Sequence, residues 1–596
     1  MNNELIQKRL FTRRAIILGA CQAGLVAGLF GRMFYLQVVK NKEFTRLSEN
    51  NRIKTEVVPP ARGRIFDRKG ASLALNEQNY SLIFEKNNRH DKQSLYDIAL
   101  KIGSILDYSA TQQADLINKL KSTSVNSYLV LSDSLTWKQL VAIELSIYEL
   151  PGVSIEIGFD RFYPYGALCG HLTGYVGTIS NKEMLKYSVE LYPNLKIGKN
   201  GIEKTEEKLL HGSAGTRRIE VNAKGESIRE LSSSKSVRGE DVNLSIDLDL
   251  QQKASRLLDN HTGVVLVSKI STGEILTSVS KPDFDPNLFN NGISVKDWNN
   301  LVNNPELPLI NRSVALTYPP GSGFKVNVAL AALKENFDPK TKFFCPGHYV
   351  LGDRTFRCWN RAGHGSINLY QAIASSCNVY LWNVAKLIGV QPIADMARLM
   401  GFGGKLLDGS LPREQAGIIP DPAWKKEKIG TRWTMADTFN TAIGQGYVEA
   451  TPIQILTMVS RIAGGKVMIP SILKTQKDID FLSLDMDREL KIVRKAMNMA
   501  VNSKIGTAYG NRIIEDGLSM AGKTGTSQVI SKRHANDDLS KSNVQRSIKN
   551  HGIFVAYAPL VNPKYSFCSI IEHGGSSSTA VKIAKELLTE AQLKNL

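Results

Sequence analysis

A serine and a lysine three residues apart at the start of a helix can make a nucleophile, and "YPPGSGFK" (318–325) offers that pair. Two prolines and a glycine block regular structure before Ser322, while "VNVALAALKE" after Lys325 has apolar spacing and helix-forming composition. Ser322 therefore falls at or near a helix start, with Lys325 almost one turn on and on the same face. A serine hydroxyl is a poor nucleophile until a base removes its proton. A neutral lysine could be that base. Such a quartet also arises by chance, and a lysine in a first turn is commonly just solvated, so the pair needs partners.

Two partners follow in order. "ASSCNVYLWNVAKLIG" carries Ser376-Cys377-Asn378 just before a helical run, and "MAGKTGTSQV" carries Lys523-Thr524-Gly525-Thr526 in a strand-like setting. Ser376 and Lys523 lie 54 and 201 residues after Ser322. For Lys325 to be neutral near pH 7 its pKa must fall about three units, roughly 4 kcal/mol. Burial and a second cation, Lys523, both push that way. Ser376 could pass the proton to a leaving amine, and Asn378, expected in a loop, could bond both Lys325 and a substrate amide. Gly525 would let a substrate backbone pair closely, while Lys523 with Thr524 or Thr526 suits a carboxylate.

The three motifs in this order form the penicillin-binding protein and β-lactamase set. The chain resembles the class B penicillin-binding proteins over nearly its whole length. "ARGRIFDRKG" (61–70), "GYVG" (174–177), "GKNGIEK" (198–204), "SKPDFDPN" (280–287), "RAGHG" (361–365), "IGQGY" (443–447) and "HGIFVAYAP" (551–559) carry the likeness beside the catalytic motifs. The resemblance implies a multidomain α/β and α+β chain. Its transpeptidase domain would be a central antiparallel sheet flanked by helices, similar to serine β-lactamases. It implies a serine D,D-transpeptidase of cell elongation, acylated by β-lactams, with a carboxypeptidase side activity. It also implies an oxyanion hole from the N–H groups of Ser322 and Thr526. Peptidoglycan stem peptides and nascent glycan strands would be its substrates. A RodA-like glycosyltransferase and elongation-complex scaffold proteins would be its partners. A division-specific transpeptidase and a β-lactam sensor or scaffold share the same motifs. One position departs from the family, where threonine usually follows the nucleophile and this chain has Gly323. Read without the resemblance, "ARGRIFDRKG" is a tight charged turn; with it, the stretch belongs to the non-catalytic pedestal.

Cysteines raise a separate question. Cys345, Cys358 and Cys377 fall within 33 residues with His364 among them. Three thiolates and an imidazole suit a closed tetrahedral zinc site. A Cys345–Cys358 disulfide with Cys377 left over is the rival outside the cytoplasm. Some family members carry zinc near these positions with Asp, His and Cys ligands, which implies a structural zinc here; cysteines replacing aspartates leave the ligand set open.

The elements that would position these groups follow from the rest of the chain. At 596 residues there is more than one core. Lys8, Arg9, Arg13 and Arg14 precede an uncharged run from Ala15 to Gly31, and apolar residues resume after Arg32 to about Val39. That reads as a membrane signal anchor with residues 1–14 cytoplasmic, 15–39 spanning, and the rest outside, at the cell inner membrane of the implied family. No small-x-small cleavage site follows, which argues against a cleaved signal peptide. Residues 40–242 mix strand-like runs ("YSLIFEK", "GVSIEIGF", "TRRIEVNAKG") with helical ones ("SLYDIALKIGSIL", "TWKQLVAIELSIYEL"), an α+β region without catalytic motifs that the resemblance implies is a non-catalytic pedestal of the dimerisation type. Residues 243–596 form the catalytic domain, where "GVVLVSKISTGEILTSVS" predicts a core hairpin turning at Ser271-Thr272-Gly273. The polar stretch 530–551 reads as a loop. Net charge is +19, but the basic residues are scattered and carry no nucleic-acid-binding signature, so a basic surface near anionic lipid or another polyanion is the simpler reading.

Overall fold

The computed structural model describes residues 2–41, 52–86, 91–124, 128–184, 195–221, 227–290, 292–475, 479–527 and 549–596. Most of the polar stretch 530–551 lies outside them. The chain divides into two compact units.

The first unit holds the N-terminus. A helix runs from Asn2 to Phe34 and passes into a wider turn over Tyr35–Val39. Arg13–Val39 is long and apolar enough to cross a membrane, and none of it is buried against the rest of the chain. Three antiparallel strands, Ile53–Val58, Gly215–Val221 and Ser227–Ser234, form a sheet in the same unit.

The second unit begins with an α+β region. The strand Ser72–Glu85 pairs along its length with Val153–Phe162 and near its end with Tyr128–Ser132. Helices Lys92–Ile105, Ala110–Ser122 and Trp137–Ser146 bury Leu95, Ile98, Leu116 and Ile143 against Leu82 and Phe84 of that strand. Each starts at a side-chain cap, Asp91, Ser109 or Thr136, and the last two add a reciprocal glutamine bond three residues on.

"ARGRIFDRKG" holds this region together. Asp67 accepts from the N–H groups of Lys69 and Ala71, closing the expected tight turn. Beside it, Arg62 Nε bonds Glu203 Oε2 at 2.6 Å and its Nη2 bonds Glu207 Oε2 at 2.7 Å, while Arg161 Nε takes the other Glu203 oxygen at 2.7 Å. Burial alone would raise the Glu203 carboxyl pKa, but Arg161 and Arg62 hold it below its ordinary value. A fully buried carboxylate is tolerated only with such complete pairing.

Residue 242, where the sequence suggests a boundary, lies in a two-residue strand, Val242–Asn243, that pairs in parallel with Ile65–Phe66. Helix α1 (Leu248–Leu257) follows, capped by Asp247. The predicted hairpin is present as β1 (Gly263–Lys269) and β2 (Ile275–Lys281), with Gly273 left-handed at φ +75° in the turn. They join β3 (Ala521–Ser527), β4 (His551–Ala558) and β5 (Tyr565–Ile571) in an antiparallel sheet of order β2-β1-β5-β4-β3.

Both faces of this sheet are covered. Val264 and Leu266 of β1 point to one core, shared with Val555, Ile570 and helix Pro452–Gly464, and Val265 and Val267 point to the other, with Leu250 of α1 and Leu587 of helix Ser578–Lys594. Alternation along the strand is the period-two rule, and burial on both faces explains why "GVVLV" is apolar without a break. The strand β3 is the sheet's edge: among the described residues, only β4 pairs with it.

Candidate active site

The tight turn Gly321–Phe324 delivers Ser322, and helix α2 (Lys325–Lys334) starts at Lys325. The expected placement of serine and lysine holds, with the serine in a single 3-10 turn ahead of the helix proper. Gly321 is left-handed at φ +53°, and a Cβ there would sit 2.6 Å from Thr526 O. A Cβ on Gly525 would lie 3.3 Å from Gly323 N and 3.2 Å from Pro320 O. Glycines on both sides thus let the nucleophile turn rest against β3 backbone to backbone. Gly323 itself is another matter. Its φ is not left-handed and a Cβ there would meet nothing within 4 Å. Gly323→Ala is expected to raise stability by about 0.4–1 kcal/mol by restricting the unfolded chain, read as a higher midpoint in thermal unfolding; a lower one would mean the turn needs glycine.

Lys325 is fully buried. Its Nζ donates to Ser376 O at 2.7 Å, Asn378 Oδ1 at 2.6 Å and Ser376 Oγ at 3.3 Å. Lys523, equally buried, donates to Ser376 Oγ at 2.8 Å and to Thr524 O at 2.9 Å. Two lysine amines therefore converge on one hydroxyl. Burial lowers the Lys325 pKa to about 8, against an opposing pull from the Cys358 and Cys377 sulfurs. Burial, and then the charge of Lys325, hold Lys523 well below the ordinary lysine value. With both oxygen lone pairs of Ser376 engaged, its own O–H proton is left to donate elsewhere. Ser376 adopts φ +58°, uncommon for a residue with a side chain. Ser322 Oγ has no hydrogen-bond partner among the described residues and lines a cavity of about 670 Å³ with Ser376, Asn378, Thr524 and Thr526.

Asn378 departs from expectation in one respect. It is the first residue of helix α3 (Asn378–Ile388), not a loop residue, and Cys377 caps that helix by accepting from Tyr380 N at 3.5 Å. Sequence reasoning missed the cap because cysteine is a rare one. It also missed Thr507, whose hydroxyl bonds Thr524 Oγ1 at 2.6 Å, and the arginines of "RTFRCWNRAGHG" that line the cavity; their crowding around Cys358 was the available signal.

The strand Phe343–Cys345 pairs with Gly365–Ile367 and brings Cys345 beside His364. His364 Nδ1 lies 3.5 Å from Cys345 Sγ and 3.7 Å from Cys358 Sγ. The ligand atoms of Cys345, Cys358, His364 and Cys377 all fall within 4.8 Å of one another; the three cysteines are buried and His364 is half-buried. The thiols are free, with no disulfide among them. A hydrogen bond between Cys358 and Cys377 pulls the Cys358 pKa down and pushes that of Cys377 up. Three soft sulfurs and an imidazole this close fit a zinc ion's donor set.

Residues 263–589 match the family model described as the penicillin binding protein transpeptidase domain, and residues 57–244 that of the penicillin-binding protein dimerisation domain. The chain is 33% identical to the peptidoglycan D,D-transpeptidase MrdA of Acinetobacter baumannii, over 97% of this chain and 87% of that one. It is 30% identical to MrdA of Escherichia coli K12, over 98% and 95%. Among solved structures, penicillin-binding protein 2 of Helicobacter pylori in complex with MreC superposes with a TM-score of 0.82 at 30% identity, covering 91% of this chain and all of that one. A peptidoglycan synthase complex that coordinates polymerization and crosslinking gives a TM-score of 0.69 at 27% identity, covering 97% of each chain.

Proposed function

This chain belongs to the penicillin-binding protein transpeptidases, and from that premise we propose that it is a D,D-transpeptidase that cross-links peptidoglycan stem peptides during cell elongation. The observation that carries the reading is the convergence of two buried lysines on Ser376 Oγ at the floor of the cavity that Ser322 lines. Lys325, neutral in part because it is buried, takes the Ser322 proton. Ser322 Oγ then attacks the carbonyl between the last two D-alanines of a stem peptide. The N–H groups of Ser322 and Thr526 receive the oxyanion, an assignment supported by the backbone contact between their two segments. Ser376 gives its proton to the departing D-alanine amine and takes back the one held by Lys325, 3.3 Å away, while Lys523 with Thr524 and Thr526 holds the terminal carboxylate. An amine of a neighbouring stem then displaces the ester, passing its proton through Ser376 and Lys325 to the departing Ser322 Oγ, which restores the hydroxyl.

Cys345, Cys358, His364 and Cys377 would hold one zinc ion. With four protein ligands it has no open position, so its chemistry is structural. The apolar N-terminal helix supports a single-pass anchor at the cell inner membrane, residues 1–14 inside and the bulk of the chain outside. The H. pylori relative is solved with MreC, which supports a scaffold partner of that kind; a RodA-like glycosyltransferase would supply the glycan strand. The direct test is labelling with a fluorescent penicillin and mass mapping of the adduct. One adduct on Ser322 is expected; labelling that survives Ser322→Ala overturns the assignment.

A further inference from the structure

The wall of the cavity above Ser376 is built by the hairpin His348–Leu351/Arg354–Arg357 and the loop after it. It presents Arg354, Arg357 and Arg361, all exposed to the cavity. None of the three forms an ion pair among the described residues, and no described residue lining the cavity is acidic. The neighbouring acid, Asp353, sits in the hairpin turn and does not line it. The segment is fastened directly to the catalytic loop. Trp359 Nε1 donates to Ser375 O at 3.0 Å, and Asn378 Nδ2 donates to Arg357 O at 3.4 Å. Phe356 packs beneath, with the Arg354 guanidinium 4.9 Å from its ring centre.

Three unpaired guanidiniums around one cavity repel each other, and Lys325 and Lys523 lie behind its floor. A bound anion relieves that repulsion. Carboxylate is the anion that planar guanidinium forks fit best on a peptide. The carboxylate of the terminal D-alanine is already spoken for by Lys523 and the β3 threonines. We infer that Arg354, Arg357 and Arg361 read a second carboxylate, on the peptide part of the substrate upstream of D-alanyl-D-alanine. This rests on the transpeptidase reading above. The same chemistry could come from the donor stem that acylates Ser322 or from the acceptor stem that resolves the ester.

The test uses the full chain in detergent and two acyl-D-alanyl thioester peptides, identical except for a carboxylate or its primary amide on the residue before D-alanine. A matching pair of acceptor amines, carboxylate and amide, forms the second arm. In the first arm, acylation is followed by thiol release without acceptor; in the second, aminolysis of a common acyl-enzyme is followed. The carboxylate form is expected to react about tenfold faster or more in at least one arm. That preference should shrink below about twofold in Arg354→Gln/Arg357→Gln/Arg361→Gln, with the amide form serving as the control for folding. A preference in the first arm assigns the wall to the donor, in the second to the acceptor; either supports the inference. Should the triple variant not fold, Arg357→Gln alone must lower the ratio. Equal rates for acid and amide in both arms, or a preference untouched by the substitutions, overturn it. Failure of Ser322 to react with any thioester or penicillin would instead overturn the transpeptidase reading.

Discussion

Replacing Lys325 with alanine is expected to slow acylation of Ser322 by a penicillin about a thousandfold, the span of a lost general base. The reason is geometric. Lys325 is the first residue of α2, one turn from Ser322, and its Nζ is already fixed by Ser376 O and Asn378 Oδ1. Its lowered pKa gives the pH dependence. Only the neutral amine accepts a proton, so the wild-type rate should rise as pH passes upward through about 8. Below that value it should fall about tenfold per unit. Lys523→Ala should mainly weaken recognition of the substrate carboxylate. It also removes the bond to Ser376 Oγ at 2.8 Å, so some loss of acylation is expected there too. Stopped-flow acylation across pH with each variant measures both; equal losses would show that the two lysines do not divide the work.

Removing one ligand of the sulfur-imidazole cluster is expected to cost stability and acylation rate together. Asn378 N donates to Cys358 Sγ at 3.4 Å, and Cys377 lies between Ser376 and Asn378 while capping α3. A metal held there would bind the catalytic loop to the hairpin wall. Cys358→Ser should therefore release one equivalent of zinc per chain and lower the melting temperature by roughly 5–10 °C. The residual adduct should remain on Ser322. Metal analysis with thiol counting under denaturation checks it. No zinc together with a Cys345–Cys358 disulfide would end the idea.

The catalytic groups were legible in sequence because each sits in a short motif whose local structure is dictated by its neighbours. Pro319, Pro320 and Gly321 interrupt the chain before a helix, and an unbroken apolar run with a turn at Ser271-Thr272-Gly273 marks the β-hairpin. What escaped is what only distant parts of the chain create. That both lysines would meet on Ser376 depends on residues 51 and 147 positions apart. The pairing of Arg62 with Glu203 spans 141 positions. Asn378, expected in a loop just ahead of a helical run, is the helix's first residue because the Cys377 sulfur supplies the cap. Arg354, Arg357 and Arg361 look like ordinary surface cations until the hairpin folds over the cavity.

The position of β3 at the rim of its sheet has a consequence for handling the protein. A strand with one row of peptide groups unpaired invites any extended segment, whether the intended peptide or another copy of the chain. Such a strand cannot be protected by covering it, because whatever covers it also excludes substrate. Among the described residues it spans seven, and the turn bearing Ser322 is stacked on Thr526. These features limit the register open to a foreign strand. Substitutions that lengthen β3 or add branched apolar residues to it should therefore show first as self-association at high protein concentration.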